Sequence, residues 1–302
     1  MNCQNLDPKS TTTKHLHGLL LGAIGPRPIA LVSSMDKEGN PNLSPFSFFN
    51  IFSANPPVLI FSPARRVRDN TTKHTLENAL EHPEVVVNLV NYDMVDQCSL
   101  SSTEYGKGVD EFKKSGLTPL ESEKVKPFRV KESPMQLECK VLEVKALGDQ
   151  GGAGNLVICE IVHVHVHDQV LDANGLVDPF KLDIVSRMGG NWYCRANGEA
   201  LFEVEKPLAR KGIGFDALPK ALRESEHFTG NDLAKLANVE SIPDATFVED
   251  WKKNSDICKR LSEESKPESL KQSSIAQVKL LLNAQKATEA WCILLSTNLY
   301  QN

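Results

Sequence analysis

The chain lacks the short signatures that announce most enzyme classes. Its 302 residues hold no GxSxG elbow, no HExxH pair and no Walker lysine motif, which sets aside serine hydrolases, zinc proteases and P-loop enzymes. The stretch GGAGN at 151–155 lacks GxGxxG spacing. It also lies between two strand-like segments rather than opening a helix, so it is no dinucleotide fingerprint. The seven cysteines (Cys3, Cys98, Cys139, Cys159, Cys194, Cys258 and Cys292) include no CxxC pair, which argues against a zinc site of closely spaced ligands. Their odd number and wide spacing read as free thiols in a reducing compartment. Excess positive charge is missing too. A net charge of −5 argues against a broad basic surface, and so against nucleic acid as the main partner. Small basic clusters that hold an anionic cofactor remain compatible with it. The N-terminal MNCQNLDPKS has no basic segment followed by an apolar one, so no secretory signal is expected. Leu19 to Val32 is the most apolar early stretch, yet two glycines, two prolines and Arg27 interrupt it, and it cannot cross a bilayer as a helix. The expectation is a soluble cytoplasmic protein with no membrane partner.

What is present is a globular mixture, 40% apolar and 24% charged, able to bury a core. The first two-thirds read as β with inserted helices. Pro28–Ser34 and Leu43–Asn50 are strand-like runs around the turn Asp36–Asn40, a hairpin pattern. After the breaker Asn55-Pro56-Pro57 comes a strand Val58–Ser62. A helix follows, with Thr75 as N-cap, Glu77 in its first turn and Pro83 at its end. Val85–Asn91, Met135–Leu147 and Leu156–His167 read as strands. Met94–Ser101 and Asp110–Lys114 read as short helices, and Ile184–Tyr193 as a last, irregular barrel segment. Composition changes near Pro207. Beyond it Leu218–Glu226, Asp232–Asn238, Ala245–Leu261 and Glu268–Asn283 read as helices, with Ser262–Ser269 as a linker. Leu270, Ser274, Val278 and Leu281 share one helical face, so that helix is expected to pack on something.

Several segments could carry chemistry. In Asn42–Asn50 (NLSPFSFFN), alternation places aromatic and hydroxyl groups on both faces of a strand. Pro45 removes a ladder hydrogen bond, which suggests an edge, a bulge or an opening. Such a strand could present backbone groups to a flat heteroaromatic ring; a plain core strand with a bulge fits as well. Ser62–Asn78 sets Arg65, Arg66, Arg68 and Lys73 just ahead of the Thr75 helix start. That combination can hold a phosphate, although a solvated basic loop with an ordinary cap would look the same. Prolines on either side of Arg27 hold it as a rigid anion partner or simply lead a surface loop into a strand. In Ser186–Arg195, Arg187 could meet a phosphate and Trp192 or Tyr193 could stack on a ring, while Gly189-Gly190 fit a bulge. His163, His165 and His167 alternate on one strand face. No carboxylate or fourth ligand is evident beside them, and Asp168 points the other way. They read as a polar outer face or a dimer contact rather than a metal site. With neither nucleophile nor metal in evidence, the pattern points to an organic cofactor.

Taken in order, the segments at 25–62, 73–90, 132–144 and 186–207 resemble the flavin-reductase-like, FMN-binding split-barrel family across roughly residues 20–210. The stretch at 214–239 resembles the helical extension of longer members. The resemblance implies a mainly β fold: a six-stranded antiparallel split barrel of Greek-key character with peripheral helices. Residues 1–210 would form the FMN domain and 211–302 a helical extension. It implies a homodimer with FMN near the subunit interface. The isoalloxazine would lie along the second strand at Ser44, Ser47, Phe48, Phe49 and Asn50. The phosphate would lie at Ser62, Arg66, Lys73, Thr75 and Asn78, with Arg27, Arg187 and Tyr193 completing the site. His74 stands where relatives often carry an acid. The flavin would take hydride from NAD(P)H and pass electrons to an acceptor, and no catalytic side chain would be needed. A flavoredoxin-like electron carrier without its own NAD(P)H activity is the alternative, and an interaction protein with an empty barrel is a third reading.

Overall fold

The computed structural model describes residues 3–204, 211–264 and 266–300. The chain forms two compact units that divide between Phe202 and Glu203. The composition change at Pro207 and the expected boundary at 210 lie outside the described residues.

The first unit is built on one antiparallel sheet. Its strands are β1 (Ala30–Met35), β2 (Pro41–Phe46), β3 (Phe49–Ala54), β4 (Pro57–Phe61), β5 (Glu84–Leu89), β6 (Met135–Ala146) and β7 (Asn155–Val166). Their order is β2-β1-β5-β6-β7-β4-β3. The two edge strands, β2 and β3, are consecutive in sequence, and only Ser47 and Phe48 separate them. So short a link forces the sheet to curl until its edges meet, which makes a barrel with a split between β2 and β3. Bulges in the β6–β7 and β3–β4 ladders supply local bend. Turn chemistry fixes the β1–β2 hairpin. The Asp36 carboxylate accepts from the backbone N–H of Glu38 and Asn40 and from the Asn40 amide, at 2.8–3.0 Å, and Gly39 takes φ +88°.

Seven strands stand where six were expected. The run Leu43–Asn50, read as one strand, is cut at Ser47-Phe48 into β2 and the start of β3. The segment expected to close the barrel instead makes a separate three-stranded sheet of Arg27–Pro28, Val185–Arg187 and Tyr193–Arg195. Every residue of β1 is buried. Ala30 and Val32 join Phe46, Phe61, Val85 and Val157 in the barrel core, while Leu31 joins Leu43, Met94 and Phe112 in a second layer under the helices. A strand covered on both faces carries consecutive apolar residues, here Ile29 to Val32, and the two serines that follow are buried as well.

The second unit is helical. Thr229 and Asp232 form a capping box on helix Gly230–Ala237. The expected helix Ala245–Leu261 is two helices, Ala245–Asn254 and Asp256–Ser262, with Ser255 capping the second. Helix Pro267–Asn283 buries Ser274, Val278 and Leu281, as its periodicity implied. A further helix, Ala287–Ser296, buries Ala290 through Leu294 without interruption. A helix that is apolar all round shows no period, so the sequence pattern did not mark it. Its Trp291 N–H donates to the Leu236 carbonyl at 2.9 Å in the centre of this core. No helix among the described residues is long and apolar enough to cross a membrane.

Candidate functional site

A cleft runs along β2 at the barrel split. One end is tight, about 20 Å³, and is lined by Ser44, Arg66, Lys73, His74, Thr75 and Glu104 among others. The other end opens to about 400 Å³ between Pro45, Ser47, Cys98, Arg187, Asn191 and Tyr193. Ser102 lines both, so the two ends adjoin.

The tight end is basic and preorganised. The loop 62–73 is pinned by the glycine-rich turn: Arg65 N–H donates to the Ala153 carbonyl at 2.8 Å, and Gly152 N–H returns to the Arg65 carbonyl at 2.9 Å. A Cβ at Gly151 would sit 3.0 Å from the Arg66 carbonyl oxygen, so this close approach needs glycine there. The helix begins at His74 with Lys73 at its cap, two residues before the expected cap. Thr75 is not the N-cap. It is buried in the first turn, and its hydroxyl donates to Asn42 Oδ1 at 2.9 Å. Lys73 occupies the cap position without a capping side-chain bond, which leaves the first N–H groups of the helix available to an anion. The Lys73 ammonium is half-buried and has no hydrogen-bond acceptor or ion-pair partner among the described residues. Burial, then the charge of Arg66, lowers its pKa from the ordinary lysine value.

One carboxylate competes for these cations. Glu104 accepts from Arg66 Nε at 2.9 Å and pairs with Arg68. Arg66 holds its carboxyl below the ordinary glutamate range, with Arg68 adding to the effect. A second carboxylate on the wall of the tight end, the buried Glu111, accepts from the Asn42 amide at 3.0 Å and the Leu43 N–H at 3.1 Å, which fixes the start of β2.

The open end combines rings and a guanidinium. Arg187 lies over the Tyr193 ring at 4.5 Å and donates to the Gly190 carbonyl at 2.7 Å. Burial pushes the Cys98 thiol up to about 12, so it offers no thiolate near neutral pH. Arg27 reaches this end only through Ser47, at 3.4 Å. Its other N–H groups go to the carbonyls of Leu21, Ile24 and Met188. Arg27 therefore clamps the end of a helix, Thr13–Ala23, to the 185–195 segment, and few of its donors are left for a ligand.

Of the residues singled out in the sequence, Ser44, Arg66, Lys73 and Thr75 meet at the tight end, and Ser47, Arg187 and Tyr193 at the open end. The rest do not line the cleft. Asn78 is buried and donates to Ser34 Oγ at 3.1 Å. Ser62 is buried against the glycine-rich turn. Phe49 packs against the barrel core. Phe48 and Asn50 are exposed, and Asn50 caps the Ile51 N–H. Sequence reading missed the segment 99–105, which lines both ends. Its hydroxyl-rich run Ser99-Leu100-Ser101-Ser102-Thr103 was the available signal.

The matching model is that of the flavin reductase like domain, over residues 23–180. An uncharacterised protein of Aquifex aeolicus is 38% identical over 196 residues, 65% of this chain and 97% of that one. Nitrilotriacetate monooxygenase component B from Bacillus cereus superposes with a TM-score of 0.63 at 32% identity, covering 68% of this chain and all of the other. A Shewanella frigidimarina protein assigned as a flavin reductase with a split barrel domain gives a TM-score of 0.56 at 28% identity, covering 66% and 95%. The cleft, the split barrel and these likenesses agree: the chain belongs to the flavin-reductase-like family.

Proposed function

We propose that this protein binds FMN in the cleft, with the phosphate at the tight end and the ring at the open end, and works as an NAD(P)H-dependent oxidoreductase. The observation that carries the reading is the Lys73 ammonium, half-buried and without an acceptor among the described residues, at the start of helix His74–Glu81, where no side chain caps. A desolvated cation beside free helix N–H groups favours a phosphate dianion. Arg66 and the hydroxyls of Ser44 and Ser102 complete the donor set. Glu104 holds Arg66 and Arg68 as a phosphate would, so it must yield or share when the phosphate enters. Ser47 and Tyr193 suit a flat ring with hydrogen-bonding edges, and Arg187 brings positive charge toward it. Bound FMN would supply the hydride and single-electron chemistry, and the residues on the cleft wall would orient it and keep it dry.

The proposal includes a homodimer. Ile51 and Phe52, 62% and 64% exposed, lie on the edge strand β3. Such an edge is normally covered, and a second copy is the covering we propose. Light scattering on the purified chain tests this, and a Phe52→Glu variant should shift it toward monomer.

Titration with FMN and riboflavin tests the cofactor, and mixing the loaded protein with NADH or NADPH under anaerobic conditions tests the activity. Binding without oxidation of either nucleotide would reduce the protein to a flavin carrier. Failure to bind FMN would remove the proposal altogether.

A further inference from the structure

On the outer face of β7, away from the residues that line the cleft, stands a group of side chains that the flavin reading does not use. The ring centroids of His163 and His165 are 4.6 Å apart. The loop between the short strands Pro119–Leu120 and Arg129–Val130 brings Glu123 to them. One donor atom each from Glu123, His163 and His165 lies within 4.8 Å of the other two. The carboxylate that the sequence pattern did not reveal therefore comes from forty residues upstream.

We infer that Glu123, His163 and His165 form a binding site for a divalent first-row transition ion of the zinc class. Two imidazoles and a carboxylate are a donor set that such ions take, with solvent filling the remaining tetrahedral position. The spacing supports this over a simple ion pair. His163 Nε2 and Glu123 Oε2 are 3.5 Å apart, beyond the roughly 2.7–2.9 Å of a charge-assisted hydrogen bond. Two ligands at about 2.0–2.1 Å from a tetrahedral ion lie about 3.4 Å apart.

The surroundings are already organised. Glu138, fully buried on β6, accepts from the backbone N–H of Glu123 at 2.8 Å and of Lys124 at 2.6 Å. The same carboxylate meets His165 Nε2 at 2.7 Å, and Arg129 stands 4.0 Å from it. One buried carboxylate thus positions both the loop that carries Glu123 and one of the two imidazoles. Carboxylates behind ligating histidines play this part in known metal sites. A bound ion would tie the loop to the barrel wall.

The test uses the untagged full-length chain after treatment with a chelator. Co2+ is titrated and followed by its visible d–d bands, Zn2+ is measured by competition, and melting is recorded with and without Zn2+. The wild type is expected to bind a single ion per chain at micromolar concentration or below and to melt higher with it. His163→Ala and Glu123→Gln change partly exposed side chains, so both should fold, and circular dichroism checks that they do. Each should lose at least about 100-fold in affinity, and Glu138→Gln about 10–100-fold. FMN affinity should be unchanged in the two exposed variants. Equal, weak binding by wild type and His163→Ala, with no rise in melting temperature, would overturn the assignment whether or not the flavin reading stands.

Discussion

At one end of the cleft, cations, a helix start and the carboxylate of Glu104 that pairs with them crowd a space of about 20 Å³. At the other, Pro45, Tyr193 and Arg187 surround about 400 Å³. The tight end selects by charge and the open end by shape. In the proposed reading the contrast divides the two jobs of a flavin site: the phosphate would anchor, and the ring would be left accessible to reactants. It also predicts that changes at the two ends will separate when FMN is compared with riboflavin, which has the ring but no phosphate.

The largest effect is expected at the tight end. Replacing both Lys73 and Arg66 by alanine removes two charged donors, each worth about 1.5–3 kcal/mol. FMN affinity should fall on the order of 100-fold or more, and riboflavin affinity should change little. Fluorescence titration with each flavin measures both, and equal losses would break the division. Next comes the open end. Arg187→Ala removes the cation stacked on Tyr193 and should weaken FMN and riboflavin alike, by about tenfold at the scale of one or two kcal/mol for such contacts. A loss confined to FMN would move Arg187 to the phosphate side.

A smaller change of opposite sign is expected at Glu104. Glu104→Gln frees Arg66 and Arg68 from a competing anion, so FMN should bind several-fold more tightly while riboflavin stays the same, and added salt should shrink the gain. The smallest effect concerns pH and stability. The Glu104 carboxyl is held below its ordinary value of 4.5. Its ion pairs therefore contribute fully above that pH, and the contribution is lost as pH falls through the lower folded-state value. Because the pairs are partly exposed, the effect is modest. Chemical denaturation between neutral pH and pH 3 should show wild type and Glu104→Gln converging as the solution is acidified.

Local chemistry made much of this legible in advance. The Asp36–Asn40 turn, the paired long strands β6 and β7, and the one-sided helix Pro267–Asn283 all announce themselves by spacing and turn residues. Long-range geometry did not. Alternation in Asn42–Asn50 gives no sign of the step at Ser47-Phe48, where the chain passes from one sheet edge to the other. That step turns Phe48 and Asn50 outward and leaves only Ser44 and Ser47 of the five ring candidates on the cleft. Thr75 looked like a cap because capping threonines are common, but the buried Asn42 takes its hydroxyl. The family resemblance implied Asn78 at the phosphate, yet its amide donates to Ser34 on β1. The segment 99–105, which runs from the end of helix Val95–Ser101 into the following turn, and Glu123, on a loop, reach their places through long-range packing that no local rule predicts.

The most direct measurement is the ratio of riboflavin to FMN dissociation constants for the wild type and for Lys73→Ala. FMN should bind far more tightly than riboflavin to the wild type, and the ratio should collapse toward one in the variant. A wild type that binds both flavins equally, or a ratio that survives the loss of Lys73, would contradict the placement of the phosphate at the start of helix His74–Glu81.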